Sequence, residues 1–331
     1  MFKIKTFLIA VFLMVTSANY AQFTDVINSN RPGESMSAFS VGKTVFQAEL
    51  GLFGISEKND PSKYEANGFG SDLSLRYGAF LEQLEIMLDM QFQHDYYKAP
   101  LVDETRSGLK QTTLGVKYLI YDPFLSLDDK PDLYSWKKNH KFNWKDFIPA
   151  VGIYGGLNVQ IGNNPFTFEG DSKVSPKVML ITQNHFGSRW VFVTNSILDK
   201  IATDNTSLGY VLTLTRGFNI RWSGFLEHQG VKSDFYSDAI FRAGAAFLIR
   251  ENIQIDASIG KNIKDTPSLL VGGFGISWRF DQNYERALVR KTKEIKDDKK
   301  DKKGKDKKDK KDKKDKGKKR KDEVELETPK P

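Results

Sequence analysis

Four histidines are the side chains of this sequence best suited to acid–base chemistry, namely His94, His140, His185 and His228. A hydrolytic site built on one of them needs a serine or an aspartate at the same level, with the imidazole oriented by a hydrogen bond. His94 is followed by Asp95, but the spacing of the histidines specifies no such group. Surface positions near the ends of structural elements are therefore favoured for these side chains, and no catalytic residue is assigned.

Cysteine is absent from the 331 residues. This absence excludes disulfides, thiolate catalysis and cysteine metal sites. No run of histidines or carboxylates has the ligand spacing of a metal site. The glycine-rich stretches 152–156 and 272–275 precede no predicted helix, so they do not form a phosphate-binding loop. The sequence thus predicts neither a metal nor a cofactor.

Residues 42–280 divide into stretches of about ten residues that alternate apolar with polar or small side chains, separated by turn-forming residues. In one stretch Leu84 and Ile86 lie on one face, and Glu85 and Asp89 lie on the other. A period of two is the pattern of a β-strand with one apolar face. Most of the chain is therefore predicted to be strand.

A soluble β-sandwich would alternate in the same way, so strand length and composition must decide between the two folds. Stretches of about nine to eleven residues match a tilted path across a bilayer, and aromatic residues gather near their ends as in interfacial girdles. We count about twelve stretches, of which 174–185 and 189–199 can be phased either way. The sequence predicts an all-β fold, an antiparallel transmembrane β-barrel of about 12 strands over residues 42–281.

The polar faces of these strands carry many ionisable residues, which suit a wet, mutually paired lumen better than a dry core. Two interpretations stay open: a charged constriction that selects solutes, and a salt-bridge network that plugs and stiffens a lumen without conduction. The lumen-lining candidates are Glu49, Asp72, Arg76, Glu85, Asp89, Lys117, Arg221, Glu227, Arg242, Asp256 and Arg279.

Residues 1–21 have the layout of a cleaved export signal, with a basic start, a short apolar run and small residues before the cut. Cleavage is predicted after Ala21, with Ala18 as the alternative. Residues 22–41 are predicted to be a periplasmic N-terminal segment. Within it, the Arg31–Pro32 pair forms either a plain turn, which is favoured, or a short plug that enters the lumen.

Residues 282–331 form a Lys/Asp-rich tail that contains hardly any apolar residue and is predicted to stay disordered. From Arg290 onward the tail holds about 21 basic and about 12 acidic residues, so the basicity of the whole chain belongs to it. The net charge therefore gives no support to nucleic-acid binding by the barrel. The tail could bind peptidoglycan or anionic lipid headgroups, or remain solvated without a specific partner.

An even number of strands places both ends of the barrel on the periplasmic side. The connections after odd-numbered strands are then extracellular and are expected to be the longer ones. They are predicted near 57–67, 96–107, 163–173, 200–207, 230–237 and 262–267. One long periplasmic connection, 122–147, departs from this asymmetry.

The final stretch reads Gly275-Ile276-Ser277-Trp278-Arg279-Phe280. A glycine followed by two aromatic residues at alternate positions resembles the signal that the outer-membrane insertion machinery recognises. The residues that carry this resemblance are Gly275, Trp278 and Phe280.

Three earlier stretches resemble the start of the outer-membrane transporters named after the meta-pathway of phenol degradation: Asn30-Arg31-Pro32-Gly33-Glu34-Ser35, Phe39-Ser40-Val41-Gly42-Lys43 and Phe46-Gln47-Ala48-Glu49-Leu50-Gly51. That family opens with an Arg-Pro turn, a glycine and a first strand that carries a glutamate. Leu114-Gly115-Val116-Lys117-Tyr118 looks like its fourth strand, and the final stretch looks like its last. The resemblance implies a barrel with a transport role; it supplies no catalytic residues and does not establish phenol as the ligand.

Taken together, these features predict an outer-membrane channel or carrier for the passive passage of small molecules, including aromatic or hydrophobic ones. The alternative is a structural barrel tethered to the cell wall by its basic tail, and a weaker one is an outer-membrane hydrolase that uses His94 or His228. The expected partners are outer-membrane lipids, the insertion machinery, anionic envelope surfaces through the tail, and an unidentified solute.

Overall fold

The computed structural model describes residues 27–123, 147–162, 164–167, 171–187, 189–234 and 236–280. The predicted signal, most of the 122–147 connection and the tail lie outside the described residues. Twelve strands make up the described part: β1 (Phe46–Asn59), β2 (Tyr64–Gly78), β3 (Leu84–Ala99), β4 (Val102–Tyr121), β5 (Ala150–Val159), β6 (Val174–Phe186), β7 (Trp190–Asp199), β8 (Ser207–Gly217), β9 (Trp222–Ser233), β10 (Ser237–Arg250), β11 (Ile253–Asn262) and β12 (Ser268–Phe280).

Each strand pairs antiparallel with the next one in the chain, and β12 pairs with β1, so the sheet closes into a barrel. Closure leaves no strand edge with unpaired backbone groups, which is the condition for a sheet to lie in lipid. The predicted antiparallel barrel of twelve strands is confirmed. Among the residues that the structure describes, no helix is long and apolar enough to span a bilayer.

The barrel wall is apolar on the outside and polar on the inside. Leu226 and Phe274 point outward and are 64% and 62% exposed, whereas Arg76 and Lys117 point inward and are fully buried. A soluble protein has the opposite arrangement, because it keeps its large apolar side chains away from water. The outer surface is therefore suited to lipid, and the interior is suited to polar contacts.

The strands β6 and β7, for which the sequence favours neither phase, are apolar on both faces. In β6, Met179 and Ile181 point into the barrel and are buried, while Val178 and Leu180 point outward and are exposed. The inner residues pack in an apolar cluster inside the barrel, so both faces lie in apolar surroundings. A strand with two apolar faces has no alternation from which its phase could be predicted.

We call the end of the barrel where β1 begins and β12 ends the proximal end, and the other the distal end. Several strands extend far toward the distal end, and β4 is 20 residues long. The long loops predicted at 57–67 and 96–107 are wrong, because the strand ladders continue and leave only 60–63 and 100–101 as connections. Beyond the bilayer both faces of a strand meet water, so the hydrophobic alternation disappears while the hydrogen bonding continues.

The N-terminal segment lies inside the barrel from residue 27 onward, rather than below it in the periplasm as the sequence suggested. Ala38 and Val41 are 0% and 3% exposed, which is possible only if the wall surrounds them. The favoured prediction of a plain turn at Arg31 is replaced by the second alternative, a plug in the lumen. We use the name plug for residues 27–41.

Candidate functional site: the lumen and its N-terminal plug

The plug enters and leaves the lumen at the proximal end. It starts beside the turn between β10 and β11, where the backbone N–H of Ile27 donates to the carbonyl of Glu251 at 2.8 Å. It returns to the wall on the other side, where the N–H of Val41 donates to Glu85 at 2.9 Å. The chain then turns at Gly42 and continues into β1. The plug therefore crosses the lumen from one wall to the opposite one.

Polar contacts tie the plug to ten of the twelve strands, all except β5 and β8. The strand residues that make them are Glu49, Arg76, Glu85, Lys117, Gln183, Asn195, Glu227, Arg242, Asp256 and Ser277. Seven of these ten are among the lumen-lining candidates. Ala38 contacts β5 at Gly152 through its backbone. The charged lumen residues thus act mainly as the bed on which the plug lies.

Arg31 occupies a slot in the wall at the junction of the first and last strands. Gly51 of β1 and Gly275 of β12 are cross-strand partners, and a Cβ atom on either would overlap the guanidinium of Arg31. In the same row, Asp72 of β2 pairs with Gly51 and Asp256 of β11 pairs with Gly275. Arg31 lies 3.3 Å from Asp256 and 3.8 Å from Asp72. Two glycines make room for the cation, and a carboxylate on each side holds it.

The tip of the plug is held by Glu227 of β9. Its carboxylate accepts the backbone N–H groups of Glu34, at 3.0 and 3.1 Å, and Ser35, at 3.3 Å. It also accepts the hydroxyl of Thr213 and the guanidinium of Arg242, each at 2.8 Å. Arg242 reaches the Glu34 carboxylate as well, at 3.2 Å. Glu227 therefore satisfies two backbone donors of the plug that would otherwise be left without a partner.

A buried ionic chain runs across β1 to β4 beneath the plug. Arg76 lies 2.9 Å from Glu49 and 2.6 Å from Glu85, and Lys117 lies 3.2 Å from Glu85. All four side chains are at most 1% exposed. Arg76 and Lys117 also donate to plug carbonyls, including that of Asn28 at 2.7 Å. Because each charge has an opposite partner and further hydrogen bonds, the cost of burial is offset.

An apolar cluster fills the lumen on the side of β3 to β7. Met36, Ala38 and Phe39 of the plug pack there against wall residues. The wall contributes Met87, Leu119, Ala150, Tyr154, Met179, Ile181 and Val193. The sequence predicted a wet lumen, but this half is packed like a protein core. The sequence offered a partial signal, because Met87 breaks the polar face of its strand and the inner faces of β6 and β7 are apolar.

The remaining lumen candidates lie apart from the plug or at its margin. Asp89 accepts the hydroxyl of Ser74 at 2.5 Å, and Arg279 is buried near the proximal end of β12. Arg221 differs from the prediction, because it lies in the turn between β8 and β9 with an exposed side chain. The strand begins only at Trp222, so the inward phase that the sequence suggested does not enclose Arg221.

Two histidines considered for catalysis point outward among aromatic rings. His94 lies 5.2 Å from Phe69, and His228 lies 4.5 Å from Phe241, measured between ring centroids. Both stand on the outer face of the barrel, at positions typical of an aromatic girdle. His185 points inward, where its ring lies 2.8 Å from the Gln183 amide and 5.7 Å from the Phe39 ring. His140 lies outside the described residues.

The distal part of the lumen contains a cation–aromatic cluster that the sequence did not indicate. Arg106 donates two hydrogen bonds of 2.9 Å to Asp95. Its guanidinium also lies over the rings of Tyr97 and Phe166, at 4.4 and 5.2 Å. These residues fall in stretches predicted to be loop, where no face could be assigned. In the connection between β9 and β10, burial raises the pKa of Tyr236 above its usual range, as does its hydrogen bond to Asp238.

A cavity of about 740 Å³ remains beside the plug at the proximal end. Its walls are the plug and strands β6 to β11. The plug thus crosses the lumen without filling it.

The family model described as "Putative MetA-pathway of phenol degradation" matches residues 29–280. The crystal structure of an outer-membrane channel from Pseudomonas putida F1 is similar, with a TM-score of 0.51 and 12% identity over 77% of this chain and all of that one. The KdgM porin gives a TM-score of 0.41 at 10% identity, covering 70% of this chain and 99% of that one. The CymD monoaromatic hydrocarbon channel gives 0.40 at 9%, covering 80% and 97%. No curated protein sequence matches the chain.

The match to the family model spans the plug and all twelve strands, and the likeness to the Pseudomonas putida channel shows a shared barrel fold. The chain belongs to the family of outer-membrane β-barrel proteins named after the MetA pathway of phenol degradation.

Proposed function

We propose that this outer-membrane barrel is a channel or carrier for the passive passage of small molecules, and that the plug closes it in the state described. The observation that carries the proposal is the way the plug is held. Arg31 and the plug tip are fixed by ion pairs and hydrogen bonds to wall residues, and no covalent bond joins them to the wall. Such contacts can break and re-form, so the barrel can pass between closed and open states without unfolding.

The unequal filling of the lumen supports the same proposal. The plug covers an apolar cluster toward β3 to β7, but it leaves the cavity toward β6 to β11. A displacement of the tip alone, released from Glu227, would enlarge this space toward the distal end. A barrel with only a structural role would gain nothing from an interior left partly empty, because packing against the plug would stabilise it further.

Solute flux through liposomes that contain the full-length protein tests the channel. Wild type and an Arg31→Ala variant are compared by the swelling of vesicles in small neutral solutes and by ion conductance in planar bilayers. We expect the variant to be open more often, because it loses both carboxylate contacts of the slot. Absence of flux with every solute in both proteins would contradict the channel.

A structural barrel with a permanently filled lumen is the second candidate. The buried ionic chain from Glu49 to Lys117 favours it, since pairs enclosed in this way are costly to break. In that case Arg31→Ala would lower the resistance of the barrel to denaturant and leave conductance at the level of empty bilayers. The two candidates thus predict different results in the same experiment.

The charged tail serves, in this proposal, as a weak tether to anionic envelope surfaces. Binding of the full-length protein to isolated peptidoglycan should weaken as salt rises, because exposed charges are screened. A variant that ends before Arg290 should lose this binding and keep its barrel. Equal sedimentation of both proteins with peptidoglycan would exclude the tether.

We also propose that Trp278 and Phe280 form the signal for the insertion machinery. Both point outward at the proximal end of β12, with ring centroids 3.9 Å apart. Gly275, the third residue of that pattern, also forms the Arg31 slot, so its substitution would test two roles at once. Phe280→Ala should slow assembly in cells while leaving the conductance of the purified protein unchanged. With β1 and β12 at this end, both chain termini would face the periplasm.

A further inference from the structure

The cavity beside the plug has a size and an opening suited to a small ligand. Its volume of about 740 Å³ lies within the range of small-molecule sites in proteins, roughly 300 to 1,000 Å³. It reaches from the proximal mouth, near Gln254, to Gly33 and Ser35 at the plug tip. A molecule in it would therefore touch the segment that closes the barrel.

The lining divides into an apolar part and a polar part. Val191, Val193, Phe225 and Ala246 supply the apolar part. The polar part consists of uncharged hydrogen-bonding groups. They include Asn28, Asn30, Gln183, Thr213, Thr215 and Gln254. An occupant would therefore meet hydrocarbon and hydrogen-bonding groups in the same cavity.

Few charges reach this cavity, although the lumen as a whole is rich in them. Arg31 lines it, but its guanidinium lies in the glycine slot with Asp256. His185 also lines it and hydrogen-bonds to Gln183. Asp122 is the one carboxylate among the lining residues that the structure describes, and it is 7% exposed. A strongly charged ligand would lose its hydration without gaining a dedicated counter-charge.

We propose that this cavity binds a small uncharged amphipathic molecule, with a ring-sized apolar body and one or two hydrogen-bonding groups. The inference deepens the proposed channel function and rests on it, because it assigns the class of the solute and the place where the solute meets the plug. The apolar body contacts Val193, Phe225 and Ala246. The hydrogen-bonding groups face the amides and hydroxyls, and Gly33 and Ser35 place the ligand against the tip held by Glu227.

A matched pair of substitutions on one strand tests the site. Ala246→Phe places a ring in the cavity, whereas Ala245→Phe places the same ring on the outer face, in a groove beside Trp222 and Phe247. The probes are 2-naphthol, which is uncharged at neutral pH, and 2-naphthoate, which has a similar size and a negative charge. Binding to the full-length protein in detergent is measured by equilibrium dialysis, and the Ala245→Phe protein controls for partition into the micelle.

We expect 2-naphthol to bind wild type and Ala245→Phe equally, and Ala246→Phe at least about tenfold more weakly, because the added ring occupies the ligand's space. We expect 2-naphthoate to bind wild type about tenfold or more weakly than 2-naphthol, because of its charge. Thr215→Phe obstructs the same cavity from β8, away from the ion pairs of the plug, and should give the same loss. Gel mobility with and without heating shows whether each variant is folded.

Equal binding of 2-naphthol to wild type and both cavity variants would overturn the site, and preference for 2-naphthoate would overturn the uncharged class. If binding behaves as expected but no solute crosses the liposomes, the channel fails and the site remains. If flux occurs and neither cavity variant changes binding, the site fails and the channel remains.

Discussion

At the scale of single residues, the position of Arg31 is determined by what its neighbours lack. The guanidinium lies against the wall only because residues 51 and 275 have no side chain, and it is held there because Asp72 and Asp256 flank it. A guanidinium away from bulk water needs such partners, since an unpaired buried charge is strongly unfavourable. The two carboxylates and the two glycines are thus parts of one binding site for one side chain.

Filling the slot should release the plug. In Gly51→Leu the new side chain occupies the space of the guanidinium, and the overlapping atoms belong to the tip of a flexible side chain, so the wall keeps its register. The lost contacts with the carboxylates are worth roughly 1.5 to 3 kcal/mol, or about a ten- to hundredfold rise in the open-to-closed ratio. Single-channel recording measures this ratio. Gly54→Leu on the outer face of the same strand is the control, and equal open probability in the two variants would contradict the latch.

Removing the charge of Glu227 should loosen the tip. Glu227→Gln keeps the shape of the side chain but weakens its bonds to Arg242 and to the two plug amides. A buried pair that loses one charge is destabilised by up to about 3 kcal/mol. We expect longer openings in bilayer recordings and faster hydrogen exchange at residues 33–36. Glu104→Gln, an exposed glutamate of β4, serves as control and should behave like wild type.

The sequence identified most charged residues of the lumen but not their task. Alternation on a strand places Glu49 or Glu227 on the inner face, because that face is set by a period of two. It does not reveal that residues 27–41 enter the barrel and bind these side chains, since that depends on contacts far apart in sequence. Glu227, for example, meets the amide of a residue 193 positions away. Arg221 was misplaced because the pattern does not show where a strand ends.

At the scale of elements, the plug and the strands opposite it explain each other. The inner faces of β6 and β7 are apolar because Met36, Ala38 and Phe39 cover them, and the plug residues are buried because those strands receive them. The sequence predicted strands at these positions and left their faces open. It could not do more, because strand phase is predicted from the contrast between two faces, and the plug removes that contrast.

Locking the plug should close the channel. The Cα of Ala38 lies 3.5 Å from the position that a Cβ on Gly152 would take, which suits a disulfide between cysteines at these two sites. The native chain has no cysteine, so the engineered pair has no competitor. We expect the oxidised double variant to lose flux and to regain it on reduction, as measured by liposome swelling. Each single cysteine variant is the control, and full flux in the oxidised double variant would show that the plug does not obstruct the path.

At the scale of the whole molecule, stability depends on an apolar exterior that only a lipid environment tolerates. Leu226 is 64% exposed on the outer wall. Leu226→Arg should therefore destabilise folding into vesicles by about 2 kcal/mol or more, as expected for a cation deep in the lipid-facing wall. Denaturant titration of vesicle-inserted protein measures this loss. Lys232→Arg, on the same face near the distal end of β9, exchanges one cation for another and should be neutral; equal stability of the two variants would contradict the membrane assignment.

The Arg31 slot also implies an order of events during biogenesis. Its two glycines belong to the first and last strands, and its two carboxylates stand on either side of that junction, so the slot does not exist until the ring of strands has been joined. Arg31 can therefore settle only after insertion is complete, as a clasp fastened over the finished seam. In pulse-labelled cells, resistance of the barrel to unfolding by detergent should appear first, and protection of residues 27–41 from protease should follow. Protection that precedes barrel closure would show that the segment acts as a template for assembly instead.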